Sequence, residues 1–154
     1  MAGKIDGRLK ELGIELPPAP APAANYVPFV ITDSLVFVAG QISMDETGPI
    51  CGRLGDGYSV EQGRAAARSC ALNLLAQLRE ACDGDLDRIR QVVRLGGFVN
   101  CTPDFVDQPA VVNGASDLIV EVFGDRGRHA RTAVGCGALP LGVAVEVDGI
   151  VRLD

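Results

Sequence analysis

The chain has no tryptophan, only two tyrosines and five phenylalanines, and a single histidine among its 154 residues. So few flat rings leave little surface for stacking bases. Basic residues are outnumbered: 14 Lys and Arg face 20 Asp and Glu, giving a formal charge of -6. Nucleic-acid binding draws most of its affinity from neutralising phosphates. With no run of Lys or Arg to offset the balance, nucleic acid is not an expected partner. No segment approaches the ~20 consecutive apolar residues that a membrane span needs, so no membrane association is expected. Met1 to Gly13 carries charge and no apolar run, so no signal peptide is expected. The five cysteines, Cys51, Cys70, Cys82, Cys101 and Cys136, include no C-x-x-C pair. With one histidine beside them they predict no zinc or other metal site. The expectation is buried, reduced thiols in a cytoplasmic protein. Neither G-x-G-x-x-G nor a P-loop is present, and no cofactor is expected.

Hydrophobic residues make up 47% of the chain, which is ample for a core. That core must be built from Val, Leu, Ile and Ala. The length fits one domain. The expected organisation is an N-terminal helix and proline arm over residues 1–25, followed by a single domain over 26–154. In the first part, Ile5, Leu9 and Leu12 recur at helical spacing and Gly13 can end the helix. The proline-rich run from Leu16 to Pro22 forbids helix and reads as an extended arm lying on the body.

From Tyr26 the pattern predicts β-β-α-β-α-β-β. Tyr26–Val30 is an expected edge strand because it contains Pro28. Leu35–Ala39 is an unbroken apolar run, as in a strand buried on both faces. Asp45 to Tyr58 reads as loop with a short strand near Ile50–Cys51. Ser59 and Gln62 form a capping box ahead of a helix to Cys82, with Val60, Ala67, Ala71, Leu74, Leu78 and Cys82 on its apolar face. Ile89–Val99 is a strand, with Ile89, Val93, Leu95 and Val99 on one face and Arg90 and Arg94 on the other. Its Gly96–Gly97 pair signals a bulge or a close backbone approach. A second helix is expected from about Gln108 to Phe123, with Val111, Ala115, Leu118 and Val122 inward. Two last strands, Thr132–Ala138 and Val143–Leu153, are joined at Leu139–Gly142. The fold class is α+β: a mixed sheet with two main helices on one face. The other face carries Ala144, Glu146, Asp148 and Ile150, a mixture that suits a subunit interface.

If Leu139–Gly142 closes a hairpin, Gly135 opposes Glu146 and Ala133 opposes Asp148. Arg131, Ala133, Gly135, Glu146 and Asp148 then share a face, subject to the register. An arginine over a floor of small residues can bind a carboxylate with two parallel hydrogen bonds. A neighbouring glutamate can hold and polarise a water. An ordinary ion pair between Arg131 and Glu146 or Asp148 would explain the same pattern.

The run His129-Ala130-Arg131-Thr132-Ala133-Val134-Gly135-Cys136-Gly137-Ala138-Leu139-Pro140, followed by Val143 to Ile150, resembles the C-terminal signature of the RidA/YjgF family. Val36 to Gln41 resembles that family's early strand ending in Ala-Gly-Gln, and Gln108 to Asn113 resembles its second-helix start. The resemblance covers nearly everything from Tyr26 onward. The N-terminal helix and arm resemble a longer branch. The resemblance implies a chorismate-mutase-like fold and a homotrimer with a barrel-like centre and clefts between neighbours. It also implies hydrolytic deamination of enamines and imines of the 2-aminoacrylate type to 2-oxo acids. In that reading Arg131 binds the substrate carboxylate and Glu146 orients the attacking water. Tyr26, Gly40, Ala133 and Asn113 face the ligand. Ala133 stands where many active members carry cysteine. That departure motivates the alternative of a non-catalytic protein that binds or senses small carboxylates. A ribonuclease is disfavoured by charge and by the scarcity of aromatics. His129 reads as a loop residue beside the motif.

Overall fold

A computed structural model describes residues 3–154; Met1 and Ala2, the start of the expected N-terminal segment, lie outside the described residues. Helix α1 spans Lys4–Glu11 and stops before Gly13, which takes the left-handed φ of 67°. Ile5 and Leu9 are buried, and Leu12 packs against the core. Asp6 pairs with Arg79 at 3.2 Å. The proline arm that follows lies on the body, where the buried Gln77 donates from Nε2 to the Pro20 carbonyl at 2.6 Å.

The strands are β1 (Phe29–Thr32), β2 (Leu35–Ile42), a small ribbon of β3 (Met44–Asp45) and β4 (Gly48–Pro49), then β5 (Ile89–Asn100), β6 (Ala130–Cys136) and β7 (Val145–Leu153). Helix α2 (Val60–Ala81) precedes β5, and α3 (Gln108–Phe123) links β5 to β6. The capping box of α2 forms as the sequence predicts: the Ser59 hydroxyl accepts from the Gln62 N–H at 3.1 Å, and Gln62 Oε1 accepts from the Ser59 N–H at 2.9 Å. A cap of this kind contributes about 1 kcal/mol. Leu74, Leu75 and Leu78 are fully buried, each adding roughly 1.5–3 kcal/mol of burial. The predicted inward stripe of α3 is also buried.

The main sheet runs β1-β2-β7-β5-β6, with β5 and β6 parallel and the other pairs antiparallel. One face carries Val36, Val38, Leu95, Val99, Val145, Val147 and Val151, all buried beneath α2 and α3. The other is open, with Phe37 and Val134 exposed.

Several expectations need correction. Strands β6 and β7 do not form a hairpin, because β5 lies between them. The Pro140–Gly142 turn, with Leu141 and Gly142 at positive φ, carries the chain past β5 rather than straight back. Tyr26 precedes the first strand instead of lying in it. The β2 run is not buried on both faces of this chain: Val36 and Val38 point inward while Phe37 is 42% exposed. In β5, irregular pairing between Ile89/Gln91 and Val92/Arg94 turns Val92 inward and leaves Val93 exposed. The Gly96–Gly97 pair is a close approach: a Cβ at Gly97 would stand 2.6 Å from the Val112 methyls. Of the five free thiols, Cys70, Cys82 and Cys101 are buried, but Cys51 is exposed and Cys136 is partly so.

Candidate functional site

Two clusters hold the residues that the sequence singles out, and they lie on opposite faces of the sheet. In the ladder, Arg131 aligns with Leu95 and through it with Gly149, while Ala133 aligns with Gly97 and Val147. Glu146 aligns with Phe98 and Val134, and Asp148 with Gly96 and Thr132. The rows are one residue off the expected register, and a one-residue slip moves every side chain to the other face. The expected common face of Arg131, Ala133, Gly135, Glu146 and Asp148 is therefore replaced by two sets. Arg131, Ala133 and Gly135 sit on the helix side. Glu146 and Asp148 sit on the open side, where Asp148 pairs with Arg94 at 3.7 Å.

The first cluster is built on the edge strand β6 and on α3. Arg131 donates from Nη1 to Asn113 Oδ1 at 2.8 Å and to Ser116 Oγ at 3.1 Å, and from Nη2 to the Pro109 carbonyl at 3.3 Å. Every one of these acceptors is neutral. Among the described residues no carboxylate comes within 4.0 Å of the Arg131 guanidinium; the ion pairs belong to other arginines. The side chain is thus oriented without being neutralised, which leaves its charge available to an anion. Ala133, two residues on, packs partly buried on the same face. Asn113, expected at the ligand, serves here to hold the arginine.

Sequence reasoning missed Ser116 and assigned His129 no role. His129 Nδ1 lies 2.6 Å from the Gly127 carbonyl and must carry the proton. Nε2 is then the acceptor for the Ser116 hydroxyl at 2.9 Å. A relay runs from the Gly127 carbonyl through His129 and Ser116 to Arg131. Burial, with the Arg131 charge adding to it, lowers the His129 pKa against the Gly127 bond that raises it. The available signal was the spacing of Pro109, Asn113 and Ser116, which fall on one stripe of α3.

The second cluster lies on the open face. Strand β2 carries a bulge at Ala39–Gly40, between the Val38–Gly149 and Gln41–Val147 pairs. The bulge brings Gly40 against Glu146, and a Cβ at Gly40 would overlap Glu146 Oε1. Burial, then the nearby Asp148 charge, raises the Glu146 pKa. Glu146, Gly40 and Tyr26 line one groove of ≈ 1020 Å³, with the Tyr26 hydroxyl accepting from the Ala23 N–H at 3.4 Å. Strands β6 and β7 are two spacings apart, about 10 Å, and the sheet separates the two clusters. A single chain does not bring Arg131 to Glu146. Cys136, by contrast, faces the Glu146 side; burial, then the nearby Cys101 and Glu146, raises its thiol pKa.

No helix among the described residues is long and apolar enough to cross a membrane. The family described as "YjgF/chorismate_mutase-like, putative endoribonuclease" matches residues 6–150. Protein TCP17 of Trypanosoma cruzi is 49% identical over 155 residues, covering 99% of this chain and 96% of that protein. A crystal structure of an Agrobacterium tumefaciens protein with unknown function is also 49% identical, with a TM-score of 0.90 over 97% of this chain and 92% of its own. More distantly, 2-iminobutanoate/2-iminopropanoate deaminase of Rattus norvegicus is 27% identical over 132 residues, 86% of this chain and 82% of the enzyme. With its mixed sheet backed by α2 and α3, the chain belongs to the RidA/YjgF family and has that family's chorismate-mutase-like α+β fold.

Proposed function

We propose that the chain hydrolyses 2-imino acids, and the enamines that tautomerise to them, at a site completed by a second copy in a homotrimer. One protomer contributes Arg131, held by Asn113, with Ala133 as open floor. Its neighbour contributes Glu146, Gly40 and Tyr26. The observation that carries this reading is the Arg131 guanidinium, fixed by neutral acceptors and facing no acid among the described residues. A fixed, uncompensated guanidinium is a receptor for a planar carboxylate. The likeness to the rat deaminase supports the choice of substrate.

The substrate carboxylate docks on Arg131. Glu146 takes a proton from water as the water oxygen bonds to the imine carbon, and the C=N pair moves to nitrogen, which receives that proton back from Glu146. The resulting carbinolamine collapses: its hydroxyl proton passes by way of Glu146 to the amine, the C=O bond forms and ammonia leaves with a 2-oxo acid. An enamine first takes a proton at its terminal carbon and gives one up from nitrogen, which makes it the imine. Burial raises the Glu146 pKa, bringing the carboxyl towards the range useful for proton transfer near neutrality.

The test generates 2-iminobutanoate with an amino-acid oxidase and follows its decay. Wild-type protein accelerates decay, and Arg131→Ala reduces kcat/KM on the order of a hundred-fold, the scale for removing one partner of a charge-assisted pair. Arg131→Lys keeps the charge but loses the fork, and falls between the two. Wild-type decay no faster than that with Arg131→Ala overturns the reading. If 2-oxobutanoate still binds at Arg131, the chain is a binding protein for small carboxylates.

A further inference from the structure

We infer that His129 is a positioning residue for the Arg131 guanidinium: it holds the Ser116 hydroxyl in the orientation that accepts from Arg131. The inference rests on the carboxylate-receptor reading of Arg131 proposed above and adds the residue that aims it. A hydroxyl has one proton to donate and two lone pairs. Ser116 directs its proton to His129 Nε2 at 2.9 Å, which leaves lone pairs to face Arg131 Nη1 at 3.1 Å. A serine within a helix can instead direct that proton to the carbonyl one turn earlier. The imidazole competes with that carbonyl by offering an acceptor outside α3. Of the acceptors on Arg131, the Pro109 carbonyl is fixed by the backbone, whereas a hydroxyl turns freely unless something holds it. His129 is the group that holds it.

The ring is itself anchored. Its Nδ1 donates to the Gly127 carbonyl at 2.6 Å, so Nε2 is the acceptor. Gly127 is buried, and a Cβ there would stand 2.5 Å from the Ile119 carbonyl of α3. Gln91 Nε2 donates to the Arg128 carbonyl at 2.7 Å, which ties the peptide ahead of the ring to β5. The turn thus seats the imidazole against the helix that carries Asn113 and Ser116. In the same turn Asp125 and Arg128 pair with each other at 3.4 Å in solvent. Burial, then the Arg131 charge, lowers the His129 pKa against the Gly127 bond that raises it, which keeps the ring neutral and accepting at neutral pH.

The experiment divides the two bonds of the ring between two variants. His129→Gln keeps an acceptor near the Nε2 position, and His129→Asn keeps a donor near the Nδ1 position. At neutral pH, calorimetry measures the Kd of 2-oxobutanoate, and steady-state assays separate KM from kcat for 2-iminobutanoate. His129→Asn is expected to raise Kd and KM about three- to ten-fold, the scale of one hydrogen bond, with kcat within about two-fold of wild type. His129→Gln recovers most of the affinity. In Ser116→Ala protein, His129→Asn costs nothing further, because the two residues act in series. A measurement without ligand reads the same order directly: the Arg131 side-chain N–H signals in NMR are separate in wild type and His129→Gln, and averaged in His129→Asn. His129→Gln as weak as His129→Asn, or weaker, makes the ring a support for the Gly127 turn and overturns the inference. So do losses that add in Ser116→Ala protein. No imine turnover, with the Kd pattern intact, removes the deaminase reading and leaves His129 in its role. No binding of 2-oxobutanoate to wild type removes the receptor reading; the N–H signals then decide, and signals alike in all three proteins overturn the inference.

Discussion

Glu146 sits where its surroundings oppose its charge. Burial raises its pKa and the Asp148 carboxylate raises it further. If the ionised form is the base, activity climbs with pH through the Glu146 pKa. Asp148→Asn removes one raising charge, so the acid limb of the kcat profile moves to lower pH; an unmoved limb would separate Glu146 from that ionisation. Linkage has the same origin with the opposite benefit. A carboxyl whose folded pKa lies above its unfolded value destabilises the fold once pH exceeds that window. Glu146→Gln is therefore expected to raise Tm at neutral pH while turnover falls, as thermal scans at two pH values would register. On the other face, the Ser116 hydroxyl accepts from Arg131 Nη1 at 3.1 Å and so helps to position it. Ser116→Ala raises KM several-fold and barely moves kcat; equal losses in both would deny it that role. At this scale the sequence was informative about identity and silent about neighbours. The motif pointed to Arg131 and Glu146, but alternation along a strand says nothing about which strand lies alongside.

The elements were more legible. The α2 capping box and the α3 apolar stripe are local patterns set by the 3.6-residue repeat, and both formed where expected. The position of β5 between β6 and β7 was not legible, since the crossover through α3 is a tertiary choice. The α2–α3 crossing depends on Gly114, where an added Cβ would overlap the Arg64 carbonyl. Alanine is intrinsically better in a helix by about 1 kcal/mol, but separating the two helices costs more. Gly114→Ala is expected to lose about 1–3 kcal/mol in urea denaturation, and a gain in stability would show that the helices part freely. The arm is held by Leu16 packed against the core and by one buried amide, Gln77, bonded to the Pro20 carbonyl. Gln77→Ala leaves the Pro20 carbonyl without its donor and should admit protease between Pro20 and Ala24, with resistance equal to wild type counting against that anchoring.

For the whole molecule, the open sheet face carries Val134 at 41% exposed and Val30 at 53%, beside the half-buried Glu146 and Asp148. A face so mixed is poorly suited to solvent, and assembly through it would bring one protomer's edge strand to another's groove. Val134→Glu places a charge on the edge strand of that face. Light scattering should then give a smaller species than wild type, with imine turnover lost in parallel. A wild-type protein that runs as a monomer would remove the shared site altogether. The sequence anticipated an unpartnered face because its last strand alternates valine with mixed residues; the two-sided placement of the acid and the guanidinium could not be read without the strand order. That order also bears on biogenesis. Residues 145–153 pair on both sides, with β2 and β5. A nascent chain still holding them in the ribosomal exit tunnel has two ladder edges bare, one of them flanked by Val36 and Val38. During that interval the polypeptide depends on speed of synthesis or on chaperones to avoid sticking to its neighbours.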